Sequence, residues 1–268
     1  MKNFKYIYLL ILLLILLASL HLSQYKSIEW LTFIGLSTLL PSAIIIRHIE
    51  LTKIHLDLEK AHESALENMI YLVNLHDKET GEHILRTKHY AKELAIYLYK
   101  HKIYPEIVTP HFIEYLFKAC PLHDIGKVGI PDSILKKADK LSPEEYEIIK
   151  KHPIMGKKIV DQSMIFYNQN SLLNMVHDVV YYHHERWDGT GYPCKLKGEE
   201  IPLSAQIMAL CDVYDALVSK RRYKEPFSYE KADKIIIKGK NHHYNPILVD
   251  AFIEIRPSFH KISDRWKE

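Results

Sequence analysis

The feature that most constrains this chain is a helical pattern running almost without a break from Leu72 to the C-terminus. Apolar residues recur at three- and four-residue intervals in Ile84 to His101, Leu172 to His184 and Leu203 to Ser219. No alternating strand pattern competes with it, and there is no GxGxxG motif, P-loop or repeat. The sequence therefore predicts an all-α fold.

Two local signals predict where helices begin. Ser142-Pro143-Glu144-Glu145 reads as a capping box with proline at the first helical position. Asn245-Pro246 has the same character and is expected to open the last helix.

Two apolar segments precede the helical region. Tyr6 to Leu20 follows Lys2 and Lys5, and Trp30 to Ile46 carries no charge and precedes Arg47. We expect two transmembrane helices with both chain ends in the cytoplasm, and hence a multi-pass protein of the inner (cytoplasmic) membrane. A cleaved signal peptide is the other interpretation of the first segment, and a buried hydrophobic helix that of the second.

A charged stretch from Glu50 onward is expected to be a helical linker. Apolar residues fall at heptad spacing in it for about two heptads, fewer than a coiled coil normally needs; they are Leu51, Ile54, Leu58, Ala61 and Ala65. Pairing with its copy in a homodimer is a further expectation. The predicted organisation is a membrane anchor (residues 1–48), a linker (49–71) and a helical domain (72–268).

Composition narrows the class of partner. Lys and Arg number 36 against 33 Asp and Glu, so no strong positive field favours a nucleic acid polymer. The number of histidines, 17, is unusually high and indicates metal binding. The three cysteines form no CxxC pair, which argues against a disulfide framework or zinc knuckle and fits a reducing cytosol.

Eight candidate metal ligands occur in five places along the chain. They are Glu79, His83, His123, Asp124, His152, His183, His184 and Asp212. Five imidazoles with three carboxylates suit two or three first-row divalent ions, such as iron or manganese, better than magnesium. Singly, each has an ordinary interpretation: His152 could be a core histidine, and Asp212 could cap or pair within its helix.

Three motifs carry a family resemblance. His123-Asp124-Ile125-Gly126-Lys127, His183-His184-Glu185 followed by Asp188-Gly189-Thr190-Gly191-Tyr192-Pro193, and Asp212-Val213-Tyr214-Asp215-Ala216 resemble the signature of the HD-GYP domain, a subgroup of the HD phosphohydrolase superfamily. The resemblance extends from about Leu72 to Ile255. It implies an HD-type, metal-dependent helical domain that hydrolyses cyclic di-GMP to pGpG, or onward to GMP, through a metal-activated hydroxide.

The resemblance also implies roles for these residues. The family's metal ligands fall on His83, His123, Asp124, His152, His183, His184 and Asp212. Glu79, one helical turn before the first histidine, is associated in the family with a third metal ion. Asp124 is the expected bridge between ions, because its two oxygens can reach two neighbours.

The chemistry of phosphodiester hydrolysis suggests roles for the other candidate residues. Two ions roughly 3.5–4 Å apart can activate the attacking hydroxide and stabilise the leaving oxygen. Lys127 is expected to neutralise a phosphate oxygen or help to protonate the leaving group, although a solvated loop lysine is its ordinary interpretation. Tyr192 could stack on guanine or bind a phosphate, or simply pack in a turn.

Arg221 and Lys224 resemble the basic loop with which the family grips substrate phosphates. Arg222 stands where the family usually has proline, which leaves the basic loop either less rigid or with one more phosphate contact. Asp215 and Glu185 are expected to support the site without binding metal.

Two other functions stay open at this point. The first is a non-catalytic receptor that binds cyclic di-GMP and signals through partner proteins, against which the full ligand set counts. The second is a hydrolase of another cyclic dinucleotide.

Overall fold

The computed structural model describes residues 27–76, 81–137, 139–164, 171–220 and 225–267. Within these ranges the chain forms α-helices and short 3₁₀ helices and no β-strand, apart from one isolated bridge between Lys240 and Tyr244. The α-helices are α1 (Ser27–His76), α2 (Gly81–Lys100), α3 (Pro110–Ala119), α4 (Asp132–Leu135), α5 (Pro143–Ile149), α6 (His152–Met164), α7 (Ser171–Tyr182), α8 (Leu203–Val218), α9 (Tyr229–Lys238) and α10 (Pro246–Arg265). The predicted all-α class is confirmed.

Helix α1 contains the second of the two segments that were expected to cross the membrane. The apolar Trp30 to Ile46 segment is the first part of this 50-residue helix, which includes Pro41 and continues through the charged stretch. No helix in the described ranges is long and apolar enough to cross a bilayer. This finding contradicts the expected multi-pass localisation in the inner membrane. Tyr6 to Leu20 lies outside the described residues.

The predicted heptad positions Leu51, Ile54 and Leu58 are exposed on α1. Dimerisation through this helix stays a prediction. The chain divides into two compact units, Met1–Leu66 and Glu67–Glu268. The finer boundaries expected at residues 48/49 and 71/72 also stay predictions.

Helix α2 is the centre of the larger unit and packs against α3, α8 and α10. Its apolar stripe is buried as the spacing predicts: Ala91, Leu94 and Leu98 have no exposed surface. Burying this stripe removes apolar area from water at about 25 cal/mol per Å², and this supplies the main free energy that holds α2 in place.

Four fully buried aromatic residues join α2, α8 and α10. Tyr90 stacks on Phe259 with ring centroids 4.6 Å apart and meets Tyr214 edge-on at 5.3 Å. Phe252 packs edge-on against Phe259 at 5.1 Å. Such offset and edge-to-face pairs are the favoured aromatic geometries, so this cluster fixes the three helices that flank one side of the site described below.

Both helix-start predictions are confirmed. The Ser142 hydroxyl accepts a hydrogen bond from the Glu145 backbone N–H, while the Glu145 carboxylate accepts one from the Ser142 N–H. The Asn245 side chain caps α10, which begins at Pro246. Helix α7 ends at Tyr182, so His183 and His184 lie in the turn just beyond it rather than within the helix.

Candidate metal centre

The His123-Asp124 pair lies between two short 3₁₀ helices, Cys120–Leu122 and Ile125–Gly129. The second packs directly against the start of α6. A Cβ at Gly126 would overlap the carbonyl oxygen of His152 and the backbone nitrogen of Gly156. Glycine at position 126 therefore allows the backbone approach that brings Asp124 next to His152.

The structure brings together the seven predicted metal ligands that it describes, in two groups. Within each group the ligand atoms lie within 4.8 Å of one another. The first group contains Asp124, His152, His183 and His184, and the second contains His83, His123 and Asp212.

Asp124 lies between the two groups. Its Oδ1 atom is 3.0 Å from His152 Nε2 and 3.7 Å from His183 Nε2. Its Oδ2 atom is 3.2 Å from His123 Nε2, which belongs to the second group. One carboxylate thus presents one oxygen to each group, which is the geometry that a bridging ligand needs.

Four of the imidazoles form a hydrogen bond through Nδ1, which leaves Nε2 directed at the centre. The Nδ1 atoms of His123, His152 and His183 each lie 2.8–2.9 Å from a backbone carbonyl oxygen, those of Cys120, Ile149 and Val179 respectively. A carbonyl can only accept, so each Nδ1 carries the proton and donates. In His83 the Nδ1 atom lies 2.8 Å from Asp215 Oδ2 instead. The lone pair of each ring is then on Nε2, directed at the carboxylates of the two groups.

The charge states also suit metal binding. Burial and the neighbouring His184 ring hold the pKa of His183 well below its usual value, and burial lowers the pKa of His184 to about 3. Burial acts to raise the pKa of Asp124, but the Lys127 ammonium and the His123 imidazole outweigh it and hold that pKa well below the usual range. Neutral imidazoles beside an ionised carboxylate are the protonation states in which both residue types bind metal.

A second layer of hydrogen bonds holds His83. Asp215, which receives the His83 Nδ1–H, also accepts from Arg86 Nε at 2.6 Å, and Arg86 Nη1 donates to the Trp266 carbonyl at 2.7 Å. Asp215 thus orients a candidate ligand, a supporting role of the kind expected for it. No sequence motif predicts this role for Arg86, although its position three residues after His83 places it on the same face of α2.

Lys127 and Tyr192 also lie at the centre. The Lys127 ammonium is 2.8 Å from Asp124 Oδ2, so it lies beside a candidate ligand rather than in a solvated loop. The Tyr192 ring stacks on His184 at 4.7 Å between centroids.

Glu185 shapes the loop that carries Tyr192. It is buried, and its two carboxylate oxygens accept hydrogen bonds from the backbone N–H groups of Cys194 and Leu196. A Cβ at Gly191 would overlap the backbone at Glu185 and Arg186, so glycine is required where the loop folds back. As expected, Glu185 supports the site and is not among the grouped ligands.

Several predicted residues lie outside the described ranges. These are the metal ligand Glu79, the substrate-binding residues Arg221 and Lys224, and the unusual Arg222.

The sequence also matches a known protein family. A model of the HD domain family matches residues 109–248, more than half of the chain. The chain belongs to the HD domain family. The HD domain and the two donor groups together indicate a divalent metal centre.

Curated relatives of this HD domain protein include three from Vibrio cholerae. A cyclic di-GMP phosphodiesterase is 44% identical over 79% of this chain and 43% of its own length. A probable cyclic di-GMP phosphodiesterase is 42% identical over 79% of this chain and 48% of its own length. A 3'3'-cGAMP-specific phosphodiesterase 2 is 36% identical over 74% of this chain and 35% of its own length. The chain therefore spans less than half the length of these relatives.

Proposed function

We propose that this chain is a divalent-metal-dependent phosphodiesterase of the HD-GYP subgroup that hydrolyses cyclic di-GMP. The observation that carries the proposal is the position of Asp124, whose two oxygens face two separate groups of ligand atoms. Paired ions of this kind suit the in-line displacement at a phosphodiester, where both the attacking and the leaving oxygen carry charge. The names of the relatives support cyclic di-GMP as the substrate.

The donor set supports iron or manganese as the metal. Imidazole suits iron well, and the carboxylates of Asp124 and Asp212 suit manganese, whereas magnesium prefers an oxygen and water shell. The two groups correspond to two ions. Glu79 is the residue proposed to hold a third ion together with the ligands described above.

The bound ions would neutralise phosphate charge and lower the pKa of the attacking water. Side chains of the protein would bind the substrate and donate a proton. Lys127, beside Asp124, is placed to donate a hydrogen bond or a proton to an oxygen of the scissile phosphate. Arg221 and Lys224 are proposed to grip the phosphates through charge-assisted hydrogen bonds. Tyr192 closes the side of the site formed by His184.

The test uses the full chain, purified without oxygen and analysed for metal before and after reconstitution with iron or manganese. We expect two or three ions per chain and hydrolysis of cyclic di-GMP to pGpG. Chromatography of the products measures whether pGpG is converted onward to GMP. Metal-loaded protein that leaves cyclic di-GMP intact would contradict the proposal. Tight binding without turnover would favour a receptor instead.

A second candidate activity is hydrolysis of 3'3'-cGAMP. It is favoured by the 36% identical relative whose name specifies that substrate. Both substrates contain two phosphodiesters, so the metal centre alone does not choose between them. Comparing kcat/KM for the two cyclic dinucleotides on one protein preparation separates the candidates, and a higher value for 3'3'-cGAMP would select the second.

A further inference from the structure

Two side chains beside the metal centre have no role in the function proposed so far. Tyr146 lies on α5, and Lys150 follows the end of that helix. Tyr146 is 52% exposed although it is a large aromatic residue. The Lys150 ammonium lies 6.0 Å from the centre of the Tyr146 ring and 5.4 Å from the centre of the Tyr192 ring. The ammonium therefore associates with both rings.

These residues continue a row of side chains that starts at the metal ligands. The His184 ring belongs to the first donor group, and Tyr192 stacks on it at an interplanar angle of 27°. Lys150 follows Tyr192, and Tyr146 follows Lys150. The row is one direction in which a molecule with a phosphate at the ions can extend.

We propose that Tyr146 and Lys150 form a subsite for one nucleoside phosphate unit of the substrate, with a purine stacked on Tyr146 and a phosphate oxygen paired with Lys150. The inference rests on the proposed function and extends it to the part of the substrate away from the scissile bond. Aromatic side chains stack on bases of any sequence because every base has a π-face, and a nearby lysine adds attraction to the phosphate.

The backbone that presents Tyr146 is held in place. The capping box fixes the first turn of α5, and the Lys137 ammonium is 2.7 Å from the Glu145 carboxylate. A ring on a fixed turn loses little conformational freedom when a base stacks on it, which favours binding.

Lys150 can exchange its present partner for a phosphate. Its ammonium is 2.8 Å from Glu147 Oε1, but the Glu147 side chain is 65% exposed. An ion pair with such an exposed partner contributes little free energy, so an incoming phosphate can replace it at small cost.

The test is steady-state kinetics of the full-length, manganese-loaded protein carrying Tyr146→Ala or Lys150→Gln. For each variant we expect KM for cyclic di-GMP to rise about tenfold with kcat nearly unchanged. Tyr146→Phe keeps the stacking face and should restore the wild-type KM. Matched controls are Tyr99→Ala, at another exposed tyrosine, and Lys158→Gln, at an exposed lysine of α6.

A second substrate separates loss of the subsite from damage to the centre. Bis(4-nitrophenyl) phosphate is a phosphodiester without a nucleobase, and its kcat/KM should be the same in Tyr146→Ala and wild type. An equal loss with both substrates, or a KM for cyclic di-GMP within twofold of wild type, would overturn the subsite.

Failure of the proposed function gives a different result. If the wild type cleaves the aryl diester but not cyclic di-GMP, calorimetric binding of cyclic di-GMP replaces the kinetics. Binding that Tyr146→Ala weakens about tenfold would support the subsite while rejecting the catalytic proposal. No binding by the wild type would overturn both.

Discussion

Four imidazoles of the candidate centre are oriented by hydrogen bonds from Nδ1, and His83 differs from the other three in its partner. His123, His152 and His183 donate to backbone carbonyls, which no substitution can remove, whereas His83 donates to the Asp215 carboxylate. The orientation and basicity of His83 therefore depend on one replaceable side chain. Mutation can test this hydrogen bond directly.

We expect Asp215→Asn to weaken metal binding about 10- to 100-fold, because His83 loses the negative charge that raises its basicity. Arg86 also loses its charged partner, so the melting temperature of the metal-free protein should fall as well. Manganese titration followed by calorimetry measures the affinity. Ser219→Ala is the control, since the Ser219 hydroxyl donates to the same Asp215 oxygen at 3.2 Å without touching the metal ligands. Equal affinities in Asp215→Asn and wild type would contradict the role of Asp215.

Lys127→Gln should separate catalysis from metal binding. The side chain keeps its length and polarity but loses the ammonium that lies 2.8 Å from Asp124, so we expect kcat for cyclic di-GMP to fall by about 10²-fold. Metal content should stay at the wild-type value, because Lys127 is not among the grouped ligands. The comparison variant is Asp124→Asn, which should lose both metal and turnover. If Lys127→Gln also lost its metal, the assignment of Lys127 to the substrate would be wrong.

At the scale of elements, the centre depends on how closely the 3₁₀ helix Ile125–Gly129 approaches the start of α6. The two elements meet backbone to backbone at Gly126 and Gly156, and the Val180 side chain of α7 packs against Gly156. The contact therefore ties together α6, which carries His152, and the two elements that directly adjoin Asp124 and His183.

Gly126→Ala should destabilise the fold by about 3 kcal/mol, because the added methyl group overlaps backbone atoms that have no room to move. Urea denaturation of the metal-free protein measures the change. Gly81→Ala is the matched control: its Cβ would have no neighbour within 4 Å, and it lies at the start of α2. That substitution should change stability by no more than about 1 kcal/mol, in the stabilising direction. Similar losses in the two variants would show that the contact at Gly126 is not the cause.

At the scale of the whole molecule, buried histidines and a buried carboxylate make stability depend on the ions. Saturating metal at about 100 times its dissociation constant should add about 2.7 kcal/mol to the free energy of unfolding. For a chain of this size that corresponds to a rise of roughly 5–10 °C in melting temperature, which EDTA should reverse. Scanning fluorimetry with and without manganese measures the shift. Asp124→Asn should show almost no shift, and a shift equal to wild type in that variant would mean that the ion binds elsewhere.

Much of this fold and site could be predicted from sequence, because the signals are local. The starts of α5 and α10 follow from Ser142 to Glu145 and from Asn245-Pro246, where one side chain and one proline decide the geometry. The candidate ligands were chosen by residue type and by the family motifs, and the structure brings the seven described ones together.

The features that could not be predicted from the sequence depend on three-dimensional packing. That Asp124 presents one oxygen to each donor group requires the approach at Gly126, and the role of Arg86 requires Trp266, 180 residues away. The multi-pass membrane prediction was wrong: the apolar run from Trp30 is the first part of the 50-residue α1, and no helix in the described ranges is long and apolar enough to cross a bilayer.

Because of the contact between Gly126 and the start of α6, the metal-ligand region of the protein and the rim of the site should respond differently to amino-acid substitution. The spacing of Asp124 and His152 is set by main-chain atoms, so substitutions at the rim leave it intact. Tyr146, on the independently capped α5, and Lys150, just after that helix, lie on that rim. A mutational library limited to these two positions should therefore change how tightly cyclic dinucleotides bind while every folded member keeps its metal, a modularity useful for engineering affinity.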